Sequence, residues 1–299
     1  MKKIPLVFLL CLSMFACGST STDSDYPSSD YPETAAVTKD QVLYTSFPCT
    51  SVLSDGSVAS VDYSNSSQGY IGIQLISNPG VKVKLQVSKD GNNYNYDITS
   101  TSFVGIPLQL GSGNYDIKIL EQVEGTSYAV IASTTINASI ENDLSPYLYP
   151  SQIVNYNSSS KVVTASFKAT KGDTNDLTRV YHIFQYVLNN LSYDESKAES
   201  LADGYALPDI DGSLKKKKGI CFDYAAIMAA MCRIQKIPCR VIVGNTDIEY
   251  HAWCEVYLQG TGWVNPKVYF EGNSWELMDP TFSDSSKDYE GQYSEVYHY

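Results

Sequence analysis

The spacing of apolar residues follows a strand pattern up to about residue 142 and first takes on a helix pattern after it, and that change constrains the fold more than any other feature. Residues 81–88 alternate strictly between apolar and polar side chains, as a half-buried β-strand requires. Across residues 177–191 the apolar side chains instead recur at three- and four-residue spacing, which is typical of an amphipathic helix. The pattern therefore predicts an all-β domain followed by a domain that mixes helices and strands.

The first domain is expected over residues 41–142. Its short alternating segments are separated by turns rich in Gly and Asn, of which residues 89–92 (Lys-Asp-Gly-Asn) are the clearest. These features predict a small antiparallel β-sandwich of immunoglobulin or fibronectin type. The segment contains no histidine and only one cysteine, Cys49. We interpret it as a spacer or binding module and not as a catalyst.

The second domain is expected over residues 143–299. A first helix is predicted near residues 177–191, with Asp173 or Thr174 as its N-cap, and a polar surface connection follows. A second helix begins near Cys221 and is followed by several strands. The predicted fold class is α+β, with the helix that carries Cys221 packed on an antiparallel sheet. The predicted strands cover residues 240–244, 251–257, 262–264 and 275–279.

The N-terminus has the features of a targeting segment. Lys2 and Lys3 precede an apolar stretch at residues 4–15 that is too short to span a bilayer, which predicts a signal peptide over residues 1–16. Cys17 follows a small residue, as at a bacterial lipoprotein cleavage site, so lipidation of Cys17 is expected; ordinary cleavage and an uncleaved anchor are the alternatives. Residues 17–40 are polar and acidic, which predicts a disordered tether. The protein is therefore expected on the extracytoplasmic face of the membrane, held by lipid.

Three residues in separate segments point to a chemistry. Cys221 comes at the predicted start of a helix, where the macrodipole and free backbone N–H groups favour the thiolate. His251 opens a predicted strand 30 residues later, and Asp279 follows after another 28. A thiol, an imidazole and a carboxylate in this order can form a nucleophile, a general base and an orienting acid. Gly219 lets the chain turn before the thiol and leaves space for substrate.

Each of these residues also has an ordinary structural interpretation. A cysteine on a helix is usually a small core residue, a lone histidine can be a packing residue, and an aspartate before proline can form a turn. Three histidines and no paired-cysteine spacing argue against a metal site. The lysines at 215–218 are expected in a solvated loop. Cys239 and Cys254 either face each other across strands or, like Cys232, are free buried thiols.

The joint pattern resembles the bacterial transglutaminase-like family over residues 144–285. The similarity rests on residues 219–225 (Gly-Ile-Cys-Phe-Asp-Tyr-Ala), residues 250–253 (Tyr-His-Ala-Trp) and residues 278–281 (Met-Asp-Pro-Thr), with 237–241 (Ile-Pro-Cys-Arg-Val) between them. It implies a fold similar to papain-like cysteine proteases, with Cys221 as nucleophile, His251 as base, Asp279 as orienting acid and no cofactor. The family's additional oxyanion donor is not assigned by the motifs; Gln185 and Tyr193 are candidates.

Two functions follow as hypotheses. The first is an acyltransferase or hydrolase that attacks a Gln-type amide or a peptide bond through a thioester on Cys221, with a protein or peptide substrate such as cell-wall peptide. The second is a surface binding or adhesion protein with a vestigial triad. The net charge of −12 argues against a nucleic-acid partner, because binding phosphates needs a basic face.

Overall fold

The structure is a computed structural model that describes residues 31–201, 204–245, 250–264 and 294–299. The predicted signal peptide, Cys17, the predicted strand at 275–279 and Asp279 lie outside these residues and stay predictions. Within the described part of the chain, no helix is both long and apolar enough to cross a membrane.

The first domain consists of two antiparallel four-stranded sheets that share one core. The strand order is β1-β2-β3-β6 in one sheet and β5-β4-β7-β8 in the other. Val61 and Ile71 from the first sheet and Leu85 and Ile117 from the second are all fully buried in that core. A β-rich first domain is thus present, whereas its immunoglobulin or fibronectin type stays a prediction. The strands are β1 Val52–Ser54, β2 Ala59–Asp62, β3 Tyr70–Leu75, β4 Val83–Lys89, β5 Asn92–Asp97, β6 Val104–Pro107, β7 Gly113–Glu124 and β8 Ser127–Ala138.

The β4–β5 hairpin shows how local sequence sets this topology. Val83, Leu85 and Val87 are buried while the residues between them are partly exposed, as the alternating pattern predicts. Asp90 and Gly91 both have positive φ, 52° and 83°, which is the requirement of a two-residue type I′ turn. The turn predicted at residues 89–92 is confirmed.

The second domain places one helix against an antiparallel sheet. The strand order in the sheet is β13-β12-β11-β14. Helix α5 packs against β11 and β12 of this sheet, and α1 and α2 pack against α5. Asp223 through Ile234 are buried on every side of α5, so this helix forms the centre of the domain. The elements are α1 Lys161–Ala169, α2 Asp176–Asn190, β9 Ser192–Tyr193, α3 Glu195–Ser200, α4 Ile210–Lys216, β10 Lys218–Gly219, α5 Cys221–Ile234, β11 Cys239–Asn245, β12 Tyr250–Leu258, β13 Gly262–Val264 and β14 Ser294–His298.

The helical part of this domain differs from the prediction in two respects. The N-cap of α2 is Asn175, whose side chain accepts a hydrogen bond from the Thr178 amide at 2.9 Å, and not Asp173 or Thr174. The stretch expected as a surface connection contains α3 and α4, each capped by an aspartate, Asp194 and Asp209. These helices have six and seven residues, too few for an apolar repeat to reveal them.

Residues 31–40, predicted as part of the tether, instead lie along the second domain. The Thr34 amide donates to the Thr174 carbonyl at 2.8 Å, and the Arg179 guanidinium, 2% exposed, donates to the Thr34 and Ala35 carbonyls. The Tyr31 hydroxyl donates to the Gln259 carbonyl at 3.0 Å. These polar residues lie against the domain because the buried Arg179 guanidinium needs hydrogen-bond acceptors, and their backbone carbonyls provide them. The composition of the segment does not reveal this contact.

Strand β14 and the connection between the domains join the two cores. Tyr299 packs against both of them, with its ring 5.8 Å from that of Tyr94 in the sandwich. The Arg233 guanidinium on α5 donates to the carbonyls of Tyr149, Cys239 and Tyr299. The second domain is therefore held against the sandwich by specific polar and aromatic contacts.

Candidate active site

Cys221 is the first residue of α5 and a partly exposed free thiol. Cys232, on the same helix, and Cys239 and Cys254, on the sheet, are instead buried in the core. Cys49, in the first domain, is exposed. Among the cysteines that the structure describes, Cys221 alone combines access to solvent with a helix N-terminus, where free backbone N–H groups stabilise a thiolate.

The turn before Cys221 is held by a buried carboxylate. Asp223 accepts a hydrogen bond from the Ile220 amide at 2.9 Å and forms an ion pair with Lys197 at 2.6 Å. A Cβ atom on Gly219 would lie 2.8 Å from that of Asp223, so glycine is needed at this position. The space beside Gly219, expected to serve substrate, is occupied by Asp223. No role was predicted for Asp223, although an acidic residue at the third helical position can accept from the amide of the N-cap residue.

His251 is brought to the same end of the domain as Cys221. Helix α5 has 14 residues and rises about 21 Å, and β11, seven residues long, returns about 23 Å along it. The far end of β11 therefore reaches the level of Cys221. There Gly244 pairs with His251 on β12. His251 is 2% exposed, whereas the preceding Tyr250 is 59% exposed.

Of the two candidate oxyanion donors, the strand pairing favours Tyr193. Strands β9 and β10 run parallel with Tyr193 opposite Gly219, two residues before the thiol. The Asp194 amide donates to the Gly219 carbonyl at 2.9 Å and fixes this register. Gln185 lies on α2, at a partly exposed position.

The three buried cysteines are neighbours in the core. Cys239 pairs with Val256 and Cys254 with Val241, so the two thiols are diagonal neighbours on one face of the β11–β12 ladder. A hydrogen bond to Cys239, together with burial, holds the pKa of Cys232 well above its usual range. A thiol held neutral in this way is a poor nucleophile.

The lysines that precede Cys221 in the sequence lie at the surface. Residues 215–218 are exposed, as expected for solvated lysines, although they form the end of α4 and the start of β10. Lys217 adopts the left-handed conformation, with φ 57°, that ends α4. Within the described ranges, no group of three or more His, Cys, Asp or Glu side chains could hold a metal ion.

Comparison with known protein families gives a match over this region of the chain. The family model of the transglutaminase-like superfamily matches residues 163–267, which include Cys221 and His251. The search of curated proteins gave no match.

Several solved structures are similar to the chain at low identity. A proposed cysteine protease from Cytophaga hutchinsonii is 16% identical over 77% of this chain and 91% of its own, with a TM-score of 0.37. A proposed protease from Parabacteroides distasonis is 13% identical over 74% of this chain and 65% of its own, with a TM-score of 0.26. A TGase is 24% identical over 34% of this chain and 28% of its own, with a TM-score of 0.29.

Proposed function

We propose that this protein, whose residues 163–267 form a transglutaminase-like domain, is a cysteine-dependent enzyme that acts on amide bonds of peptides or proteins. The observation that carries the proposal is the placement of Cys221. It is a partly exposed thiol at the first position of a buried helix, at the end of the sheet where β12 begins and where His251 is the second residue of that strand. A core thiol, the ordinary alternative, would be enclosed as Cys232 is.

The chemistry follows from these groups. The Cys221 sulfur gives its proton to His251 and attacks the carbonyl carbon of the substrate. The C–N bond then breaks, the leaving amine or ammonia takes the proton from His251, and an acyl thioester remains on Cys221. In the second half-reaction His251 removes a proton from water or from an acceptor amine, which attacks the thioester and releases Cys221.

Two further groups complete the mechanism as proposals. Tyr193, opposite Gly219, is suited to donate a hydrogen bond to the oxyanion, alongside backbone N–H groups at the start of α5. Asp279 is proposed to orient His251 and to stabilise its charged form.

The location of the enzyme is likewise proposed from its sequence. A signal peptide over residues 1–16 and lipidation at Cys17 would hold the protein at the extracytoplasmic face of the membrane. Residues 17–30 would form the tether, because residues 31–40 lie on the second domain. The substrate would then be a cell-wall or other extracellular peptide, and the sandwich would position the catalytic domain.

The experiment is to incubate the protein with a Gln-containing peptide and a labelled primary amine. Amine incorporation and ammonia release distinguish acyl transfer from hydrolysis. Cys221→Ala is expected to abolish both, whereas Cys49→Ala, which removes the other thiol accessible in the described structure, keeps them. If Cys221→Ala retained wild-type rates, the enzyme proposal would be wrong and a binding function of the sandwich would become the better account.

A further inference from the structure

Asp223 links three chain segments behind the nucleophile. Its carboxylate is fully buried and accepts from the Ile220 amide at 2.9 Å, from the Asp209 amide at 3.3 Å and from the Lys197 ammonium at 2.6 Å. Ile220 is the N-cap of α5, Asp209 is the N-cap of α4, and Lys197 lies on α3. One side chain thus joins the starts of two helices to a third helix.

A buried carboxylate with this set of donors is more than a helix cap. Capping the Ile220 amide needs one acceptor oxygen and no cation. A fully desolvated carboxylate is expensive without a partner, and Lys197, with its side chain 26% exposed, supplies the charge that makes burial tolerable. The carboxylate in turn sets the position of the residue that directly precedes Cys221.

We propose that Asp223 and Lys197 act as a positioning pair that holds the turn at Gly219 and Ile220, and with it the Cys221 thiol, in its reactive place at the start of α5. Neither residue is assigned contact with substrate. This role rests on the proposed function of Cys221, since a thiol that did no chemistry would not need to be positioned.

The contact between Gly219 and Asp223 supports this role. A Cβ atom at Gly219 would lie 2.8 Å from the Asp223 Cβ and 3.2 Å from its Oδ2, so the chain before Cys221 rests directly on this side chain. The Gly219 carbonyl accepts from the amide of Asp194, the residue whose side chain caps the helix that carries Lys197. Loss of the ion pair is therefore expected to weaken both contacts of the turn, the one between Gly219 and Asp223 and the one between Gly219 and Asp194.

A direct charge effect on the thiol makes a different prediction from positioning. Removing the negative charge in Asp223→Asn would leave Lys197 unopposed and favour the thiolate, whereas Lys197→Met would leave Asp223 unopposed and disfavour it. A direct charge effect thus changes Cys221 reactivity in opposite directions in the two variants. Positioning lowers the reactivity in both, because either change breaks the same contact.

The test is the rate of iodoacetamide alkylation of Cys221 at several pH values in the full-length protein, followed by peptide mass spectrometry. Cys49 is exposed and lies in the other domain, so its alkylation in the same sample is the internal reference. We expect Asp223→Asn and Lys197→Met each to lower the Cys221-to-Cys49 rate ratio at pH 7 by about fivefold or more. Lys197→Arg is expected to restore most of the wild-type ratio because it retains the charge.

The controls separate positioning from folding. Asp90→Asn removes a carboxylate from an ion pair of similar length, with Lys89 at 2.7 Å, on an exposed hairpin, and is expected to leave the ratio unchanged. Thermal melting identifies any variant that is unfolded. Asp223→Asn, which leaves no buried charge and keeps one acceptor oxygen, is the variant expected to stay folded if Lys197→Met does not.

Two results would overturn the proposal: ratios within about twofold of wild type in folded variants, or opposite changes in Asp223→Asn and Lys197→Met. The wild-type ratio separately tests the proposed function, because a nucleophile should react faster than Cys49. A fast wild-type Cys221 with unchanged variants would contradict only the positioning role.

Discussion

At the scale of single residues, the position of each cysteine decides its chemistry. Cys221 and Cys232 lie on the same helix, yet one is partly exposed at the N-terminus and the other is fully buried and held neutral. The sequence distinguished the two, because only Cys221 lies in the Gly-Ile-Cys-Phe-Asp-Tyr-Ala segment at the predicted start of the helix. Because Cys232, Cys239 and Cys254 are buried, a substrate cannot reach their thiols.

After the three proposed catalytic residues, Tyr193 is the residue expected to influence catalysis most. The backbone of Tyr193 pairs with Gly219. Tyr193→Phe removes the hydroxyl and keeps the ring, so kcat on an amide substrate should fall by about 100-fold with little change in KM. Gln185→Met, at the other candidate, should change kcat by less than about threefold. If the two variants behaved in the reverse way, the oxyanion donor would be on α2 and the assignment to Tyr193 would be wrong.

The ion pair between Asp223 and Lys197 could not be predicted from the sequence. The place of Asp223 at the third helical position was visible in the sequence, but its partner Lys197 lies 26 residues earlier in a polar stretch without periodic signal. Long-range pairing of this kind depends on the fold and leaves no local trace.

At the scale of elements, α5 and β11 were predicted well because their apolar residues are dense and the turn between them contains a proline. The buried Arg233 on α5 was not predicted, since a charged residue on a helix normally faces solvent. Its guanidinium donates to three carbonyls from the interdomain connection, β11 and Tyr299, and those carbonyls make the buried position tolerable.

This arrangement predicts a large stability effect. Arg233→Met keeps the apolar stem but removes the donors from three carbonyls, and should lower the free energy of unfolding by about 3 kcal/mol or more. Arg240→Met, which breaks a partly exposed pair with Glu255, should cost about 1 kcal/mol. Urea unfolding measures both, and equal losses would contradict the structural role given to Arg233.

At the scale of the whole molecule, the change in periodicity near residue 143 predicted two domains, but not how they are joined. Strand β14 pairs with the edge of β11 although some fifty residues separate them, and such edge pairing cannot be read from local sequence. Several tyrosines lie at this junction. Tyr147, for example, packs on Trp263 of β13 and donates to the Gln109 carbonyl of the sandwich.

The buried tyrosines predict a specific alkaline sensitivity. Burial raises the pKa of Tyr147 from 10.0 to about 12, so the folded state keeps the phenol protonated where the unfolded state loses the proton. The stability from this group is complete below pH 10 and is lost as the pH rises to about 12, a loss of about 2 kcal/mol. Tyr147→Phe should therefore show a shallower decline in unfolding free energy between these pH values, and parallel curves would contradict the burial of this phenol.

The central claim is that Cys221 carries an acyl group during turnover. The most direct measurement is mass spectrometry of protein quenched in acid while it processes a Gln peptide. The account predicts an adduct of the peptide mass minus ammonia on the fragment that contains Cys221, and none on the fragment that contains Cys49. Turnover without an adduct on Cys221, continuing at the same rate in Cys221→Ala, would contradict it.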